Sequence, residues 1–144
     1  MGSSQSLQKL NYEDVQNACN GNEYVIISTL PSGQQECLIK KTVLCDREEE
    51  LLNNLMKTAL TTKIIVYGLN YNDSSIYEKY NYLHKCGFTC VYLYIGGLFE
   101  WLCLQDIFGE ELFPTSKKEL DILKYKPISC LSRRLIADYP HNSS

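Results

Sequence analysis

A polar loop of six residues, 68–73, separates the most strongly β-type run of the chain, residues 63–67, from a helix that begins near Ser74. Backbone N–H groups in such a loop converge beside a helix N-terminus, which binds anions and lowers the pKa of a cysteine placed there. The loop consists of Gly68, Leu69, Asn70, Tyr71, Asn72 and Asp73. It holds no thiol and no cation, and Asp73 adds negative charge. The loop is a candidate site for a small polar ligand. The alternative, which we favour, is that its Asn and Asp side chains cap the loop and the helix that follows.

Nucleophilic chemistry would have to come from one of seven cysteines outside this loop. Their odd number and their positions in apolar runs favour reduced, buried thiols over a disulfide framework. Cys37 is the best candidate nucleophile because a polar stretch precedes it, although a small apolar residue at the start of a strand is the favoured explanation. Cys86 and Cys90 near His84 do not have the ligand spacing of a zinc site. No metal, no cofactor and no acid–base pair is predicted.

Residues 1–6 match the M-G-x-x-x-[ST] pattern for N-myristoylation, which would place a lipid on Gly2. A chance match explains the pattern about equally well, and a single myristoyl chain binds membranes only reversibly. No apolar run is long enough to cross a bilayer, and no leader peptide is visible. We therefore expect a cytoplasmic protein that associates with membranes only weakly, through Gly2. The formal net charge of −3 argues against a nucleic-acid partner.

Helix and strand patterns alternate along the chain, which predicts an α/β domain with a parallel sheet. Strands are expected at residues 7–10, 24–27, 37–44, 63–67 and 90–95. Helices are expected at residues 12–19, after Asp46, after Ser75, at 98–108 and at 116–124. Asn11 is the expected cap of the first helix. Capping boxes are expected for the helices that follow Asp46 and Ser75, each with a glutamate three residues further on.

Three motifs resemble, in order and spacing, the second half of the rhodanese-like domain. They are Ile64-Ile65-Val66-Tyr67 with its loop, Leu83-x-x-x-Gly87-Phe88-x-x-Val91-Tyr92, and Gly96-Gly97-x-x-x-Trp101. The resemblance covers about residues 63–114. In the first half, residues 28–31 stand where the family has Asp-x-Arg, and residues 37–43 stand where it has a glycine-histidine turn. The resemblance implies a five-stranded, mostly parallel sheet with helices on both faces.

The family carries sulfur as a persulfide on a cysteine at the first loop position, and here that position falls on Gly68. The resemblance therefore implies a rhodanese-like domain without sulfur transfer, which binds or regulates an unidentified protein or small polar ligand. A sulfurtransferase that uses a displaced cysteine such as Cys37 is the alternative. We expect residues 1–10 to form a polar N-terminal segment, residues 11–126 the domain, and residues 127–144 a C-terminal extension.

Overall fold

Short runs of β-branched and aromatic residues form a single parallel sheet. In the computed structural model, which describes residues 7–131, the strands are β1 (Gln8–Leu10), β2 (Tyr24–Ser28), β3 (Lys63–Tyr67) and β4 (Cys90–Tyr94). Their order across the sheet is β1-β4-β3-β2, and each neighbouring pair is parallel. β3 and β4 are therefore the central strands, and the 68–73 loop leaves the sheet at the carboxyl end of β3, next to the end of β2.

Helices cover both faces of this sheet, as the sequence predicts. The four α-helices are α1 (Tyr12–Cys19), α2 (Cys45–Thr58), α3 (Ser75–Lys85) and α4 (Gly97–Phe108). Parallel strands need such crossover connections because each strand must start at the same end of the sheet, and a tight turn cannot carry the chain back to that end. Two short 3-10 turns, Ser32–Gln34 and Ile122–Tyr125, also form, and Cys130 and Leu131 are helical at the end of the described residues.

Alternate residues of the central strands enter two separate apolar layers. Ile65 and Tyr67 of β3 pack with α1 and α4, in a layer that includes the fully buried Trp101. Ile64 and Val66 point to the other face and pack with α2 and α3. This two-sided burial explains why the strands are almost continuously apolar, as strands covered on both faces are. The predicted α/β class, with helices on both faces of a parallel sheet, is confirmed.

The start of α1 is also as predicted. Asn11 Oδ1 accepts from the backbone N–H of Asp14 at 3.0 Å, and the Asp14 carboxylate accepts from the backbone N–H of Asn11 at 3.1 Å. This reciprocal pair satisfies two N–H groups near the start of the helix. The helix that follows then buries Val15, Ala18 and Cys19 against the sheet.

The predicted strand at residues 37–44 is wrong, and the sheet has four strands rather than five. Only isolated bridges form in this region, between Ile39 and Thr115 and between Thr42 and Ile26. Two features interrupt a ladder here. Lys41 has a positive φ of 73°, and the backbone N–H of Thr42 donates to the Ile39 carbonyl at 3.1 Å, which closes a tight turn. The Ile39 N–H donates instead to the Tyr67 hydroxyl at 3.1 Å.

Both predicted capping boxes are wrong. α2 begins at Cys45, with Leu44 as a cap that makes no side-chain hydrogen bond. α3 begins at Ser75, and its preceding residue, Ser74, makes no side-chain cap either. The Ser75 hydroxyl is instead used by the 68–73 loop, as described below. Neither helix therefore begins with the predicted reciprocal pair, and at α3 the Ser75 N–H donates to Asp73 Oδ1 instead.

The helix predicted at residues 116–124 is also wrong; only the 3-10 turn Ile122–Tyr125 forms there. The backbone at Ser116 pairs with Leu38 instead. Ser116 N donates to the Leu38 carbonyl at 2.8 Å, and Leu38 N donates to the Ser116 hydroxyl at 3.0 Å. The Lys117 carbonyl, which a helix would use as an acceptor, accepts from the Cys37 thiol at 3.2 Å instead.

Within residues 7–131, no helix is both long enough and apolar enough to cross a bilayer. Gly2, the predicted lipid site, lies outside the described residues. β1 lies within the predicted N-terminal segment and pairs with β4 at the edge of the sheet. The sheet therefore begins before residue 11.

Candidate functional site

The carboxylate of Asp73 lies against the backbone of its own loop. Its Oδ2 accepts from the backbone N–H of Leu69 at 2.8 Å. Its Oδ1 accepts from Ser75 N at 3.0 Å and from the Ser75 hydroxyl at 2.6 Å. Two N–H groups that face the loop interior, one at its start and one at the beginning of α3, are thus already bound to an anion. The group that these two donors bind is thus a side chain of the protein itself.

Gly68 is the residue that makes room for this carboxylate. It is buried, and a Cβ placed on it would lie 2.5 Å from Asp73 Oδ2 and 3.0 Å from Thr29 Oγ1. The first distance is far shorter than a van der Waals contact. Any side chain at position 68, including that of cysteine, therefore requires the Asp73 carboxylate to shift, which disturbs its hydrogen bonds with Leu69 N and Ser75.

Thr29 and Ser75 extend this polar group. Neither residue is among the ligand-binding residues predicted from the sequence. Ser75 Oγ lies 2.6 Å from Thr29 Oγ1, and Thr29 N donates to the Tyr67 carbonyl at 2.9 Å. A sequence signal was available, since each follows a predicted parallel strand, and the carboxyl ends of neighbouring strands meet at one edge. The hydroxyl pair links the end of β2 to the start of α3.

Gly97, the second of the two glycines before Trp101, allows a close approach between α4 and the loop. It has a positive φ of 70°, and a Cβ there would lie 2.7 Å from the Gly68 carbonyl oxygen and 2.8 Å from Asn70 N. Next to it, Leu98 N donates to the Gly68 carbonyl at 2.9 Å and Phe99 N to the Leu69 carbonyl at 2.8 Å. N–H groups in the first turn of a helix have no partner within the helix. In this protein the loop carbonyls satisfy two of them, so loop packing explains the glycine at position 97.

Asn70 ties the loop to the C-terminal part of the chain. It is only 8% exposed, and its Nδ2 donates to the Tyr125 carbonyl at 2.8 Å. Its Oδ1 accepts from Asn72 N at 2.9 Å, which is an Asx turn. Asn70 and Asp73 thus use their side chains inside the molecule, whereas Tyr71 and Asn72 are exposed to solvent. These last two are the loop side chains that a partner can reach.

Cys37 is a buried thiol that bonds to the C-terminal part of the chain. The structure buries its side chain to 1% exposure, and Sγ donates to the Lys117 carbonyl at 3.2 Å. Burial is the largest effect on the thiol and raises its pKa, with the Glu119 carboxylate adding to the rise. A raised pKa reduces the thiolate that acts as nucleophile. The Cys37 environment is therefore that of a packed, inert thiol.

A cavity of about 570 Å³ lies beside the loop, between the end of β2 and helices α2 and α3. Its walls include the Thr29 and Ser75 hydroxyls, the Cys45 thiol and the carboxylates of Glu49 and Glu78. The size is within the range of small-molecule sites. Among residues 7–131 the structure therefore offers a polar cleft next to a loop whose own anion site is filled.

The arrangement defines a parallel α/β domain in which the loop at the carboxyl end of a central strand is capped by its own aspartate. No protein-family model matches the sequence, and no curated protein matches it. Solved structures do match the fold. The crystal structure of the Alr3790 protein from Anabaena sp. is 17% identical, with a TM-score of 0.55 over 94% of both chains. The solution structure of the rhodanese-like domain of Alr3790 is 20% identical, with a TM-score of 0.54 over 88% of both chains.

A protein from Lactobacillus plantarum is also similar, with 19% identity and a TM-score of 0.51 over 67% of this chain and 83% of that one. Similarity at this level of identity concerns the fold. The chain therefore has a rhodanese-like fold, in agreement with the resemblance seen in the motifs around Tyr67, Gly87 and Gly97.

Proposed function

We propose that this chain is a rhodanese-like module that binds a protein or a small polar ligand and does not transfer sulfur. The observation that carries the proposal is the Asp73 carboxylate, which occupies the loop N–H groups and leaves no room for a side chain at Gly68. The proposal includes membership of the rhodanese-like family.

The chemistry of sulfur transfer supports this proposal. A persulfide needs a cysteine sulfur as nucleophile and leaving group, and the loop contains none. The persulfide or its donor is an anion, and donors aimed at that charge provide the stabilisation. Here Leu69 N and Ser75 N already bind a carboxylate, and a second anion would meet the repulsion of Asp73. The loop thus lacks the reacting atom, and two of the donors around it already bind a carboxylate.

The test is a sulfurtransferase assay on the purified chain with thiosulfate and with mercaptopyruvate, using cyanide as acceptor. We expect no turnover above the rate without protein, and an active rhodanese run in parallel shows that the assay works. Intact-mass spectrometry after incubation with each donor should show no gain of a sulfur atom. Turnover together with a persulfide mapped to one cysteine would contradict the proposal.

The alternative, a sulfurtransferase that uses Cys37, predicts a different result in the same experiment. Persulfide would map to Cys37, and Cys37→Ser would lose activity while Cys130→Ser, at an exposed thiol, would keep it. The burial of Cys37 and its raised pKa favour the first proposal over this one.

A ligand for the module fits the cleft beside the loop better than the loop interior. The cleft of about 570 Å³ is lined by polar residues, among them Thr29, Ser75 and Glu49, and by apolar residues, among them Leu30 and Leu52. It therefore suits a ligand that carries hydrogen-bond donors beside an apolar part. Cys45 is exposed and lines this cleft, which provides a direct readout. A small ligand bound there would slow alkylation of Cys45 and leave that of Cys130 unchanged.

A further inference from the structure

The charges of this protein are unevenly distributed along the chain. Residues 117–131, here called the basic–apolar segment, contain four lysines and two acidic residues, Glu119 and Asp121. The whole chain carries −3 and this segment +2, so the remainder carries −5. The sequence continues with Arg133 and Arg134, which add further positive charge. A basic segment on an otherwise acidic protein indicates a specific contact with a negatively charged surface.

Most of the positive charge in the segment is free to act on a partner. Lys124 is paired with Glu119 at 2.9 Å. Lys117, Lys118 and Lys126 are exposed and form no ion pair within residues 7–131. Three unpaired lysines within ten residues of chain are a cluster that attracts anions.

The same segment exposes aliphatic side chains. Leu120 is 85% exposed, Leu123 64%, Ile128 66% and Leu131 68%. Single exposed apolar residues are common, whereas four within twelve residues indicate a contact surface. Phosphates of a nucleic acid or carboxylates of an acidic protein would satisfy the lysines and leave these four side chains in water. An anionic lipid bilayer takes both, because it offers charge at its surface and hydrocarbon below.

The body of the protein holds the segment in place. The Tyr125 carbonyl accepts from Asn70, and the Lys117 carbonyl accepts from the Cys37 thiol. Tyr125 itself is 4% exposed, so its ring is packed into the core while its neighbours face outward. The backbone of the segment is thus attached to the rest of the protein at Lys117 and Tyr125.

We propose that the basic–apolar segment binds the surface of an anionic lipid bilayer, with its lysines at the headgroups and its exposed aliphatic side chains inserted below them. This proposal is independent of the proposed function and of any lipid on Gly2. The acidic remainder of the protein would be repelled by the same surface, which orients the molecule with the segment toward the membrane.

The test is vesicle co-sedimentation of the full chain, made without N-terminal acylation. Vesicles contain 30% phosphatidylserine in phosphatidylcholine, or phosphatidylcholine alone. We expect binding to the first and not to the second, and loss of binding at high salt. Replacing Lys117, Lys118 and Lys126 with Gln should weaken binding about a hundredfold, at about fivefold for each lysine. The matched control replaces the exposed Lys9, Lys57 and Lys85 with Gln and makes the same change in net charge.

A second pair of variants tests insertion. Leu120→Ser with Ile128→Ser should weaken binding about tenfold, since burial of aliphatic side chains contributes to membrane affinity. The control is Ile107→Ser with Leu112→Ser. These two side chains lie outside the segment and are 69% and 55% exposed, and their replacement should leave vesicle binding unchanged. Circular dichroism checks that each variant is folded. The proposal is overturned by equal effects of the two lysine triples, by no effect of the Leu120 and Ile128 changes, or by binding to an oligonucleotide in preference to the vesicles.

Discussion

Replacing Gly68 with alanine adds one methyl group at the most crowded point of the loop. The new Cβ would lie 2.5 Å from Asp73 Oδ2, so the carboxylate must move away. It then loses hydrogen bonds from Leu69 N and from Ser75, and a hydrogen bond to a charged group contributes about 1.5–3 kcal/mol. Because the loop is partly exposed and water replaces some of the lost contacts, we expect Gly68→Ala to cost about 2–3 kcal/mol of unfolding free energy.

The double-mutant cycle with Asp73→Ala makes this expectation specific. Asp73→Ala alone should cost about 2 kcal/mol, because it leaves Leu69 N and Ser75 N without their acceptor. Once the carboxylate is gone, the methyl group at position 68 has space, apart from a contact of 3.0 Å with Thr29 Oγ1. Gly68→Ala should then cost less than about 1 kcal/mol. The two changes are thus expected to be non-additive by about 1–2 kcal/mol, with the double variant more stable than the sum predicts.

Urea unfolding followed by circular dichroism measures all four corners of the cycle. Gly33→Ala is the matched control, because a Cβ at Gly33 meets nothing within 4 Å, and it should change stability by less than about 0.5 kcal/mol. If the costs of Gly68→Ala and Asp73→Ala simply add, the carboxylate does not fill the space at position 68 and the argument for a self-occupied loop fails.

Three further predictions concern the surroundings of the loop. Gly97→Ala should destabilise the fold by about 3 kcal/mol, through a positive φ and a 2.7 Å clash with the loop backbone, and a variant that melts like the native protein would contradict this. Tyr67→Phe should cost about 1–2 kcal/mol because the Ile39 N–H loses its acceptor, as urea unfolding would show; an unchanged midpoint would mean that water replaces the hydroxyl. At pH 8, Cys19, whose pKa burial raises from 9.0 to about 11, should be alkylated about a hundredfold more slowly than a thiol of ordinary pKa. The exposed Cys45 and Cys130 should react before it, and equal rates would refute the assigned burial.

The strands and the helices that pack on both faces could be predicted from the sequence because each depends on a local pattern. Residues 63–67 and 90–94 are buried on both sides, so an apolar β-type run is enough to identify them. Asn11 caps α1 through a contact three residues away, which sequence spacing also reveals. Gly97 was selected as part of a motif, although its reason, contact with the Gly68 carbonyl, needed coordinates.

The errors arise where long-range hydrogen bonds compete with local preference. Residues 37–44 have the composition of a strand, but the Tyr67 hydroxyl and the turn at Lys41 take the backbone groups that a ladder would use. Ser75 has the spacing of a helix cap, but its hydroxyl binds Asp73 and Thr29 instead. Capping of the loop by its Asn and Asp side chains is the explanation that the sequence favours, and Asp73 binds backbone N–H groups in this way. The sequence does not show that the N–H groups are those of Leu69 and Ser75, or that the carboxylate fills the space beside Gly68.

The position of Asp73 means that a thiol cannot be installed in this loop in one step. A cysteine at position 68 alone would collide with the carboxylate, and removal of Asp73 alone would leave two backbone donors exposed to a gap. We expect either single variant to be less stable than the starting protein. The exchange of both residues therefore passes through a less stable variant, whichever residue changes first. An engineer who wants sulfur chemistry from this scaffold would therefore begin with both substitutions together, and a lineage that carries the pair would tend to keep it.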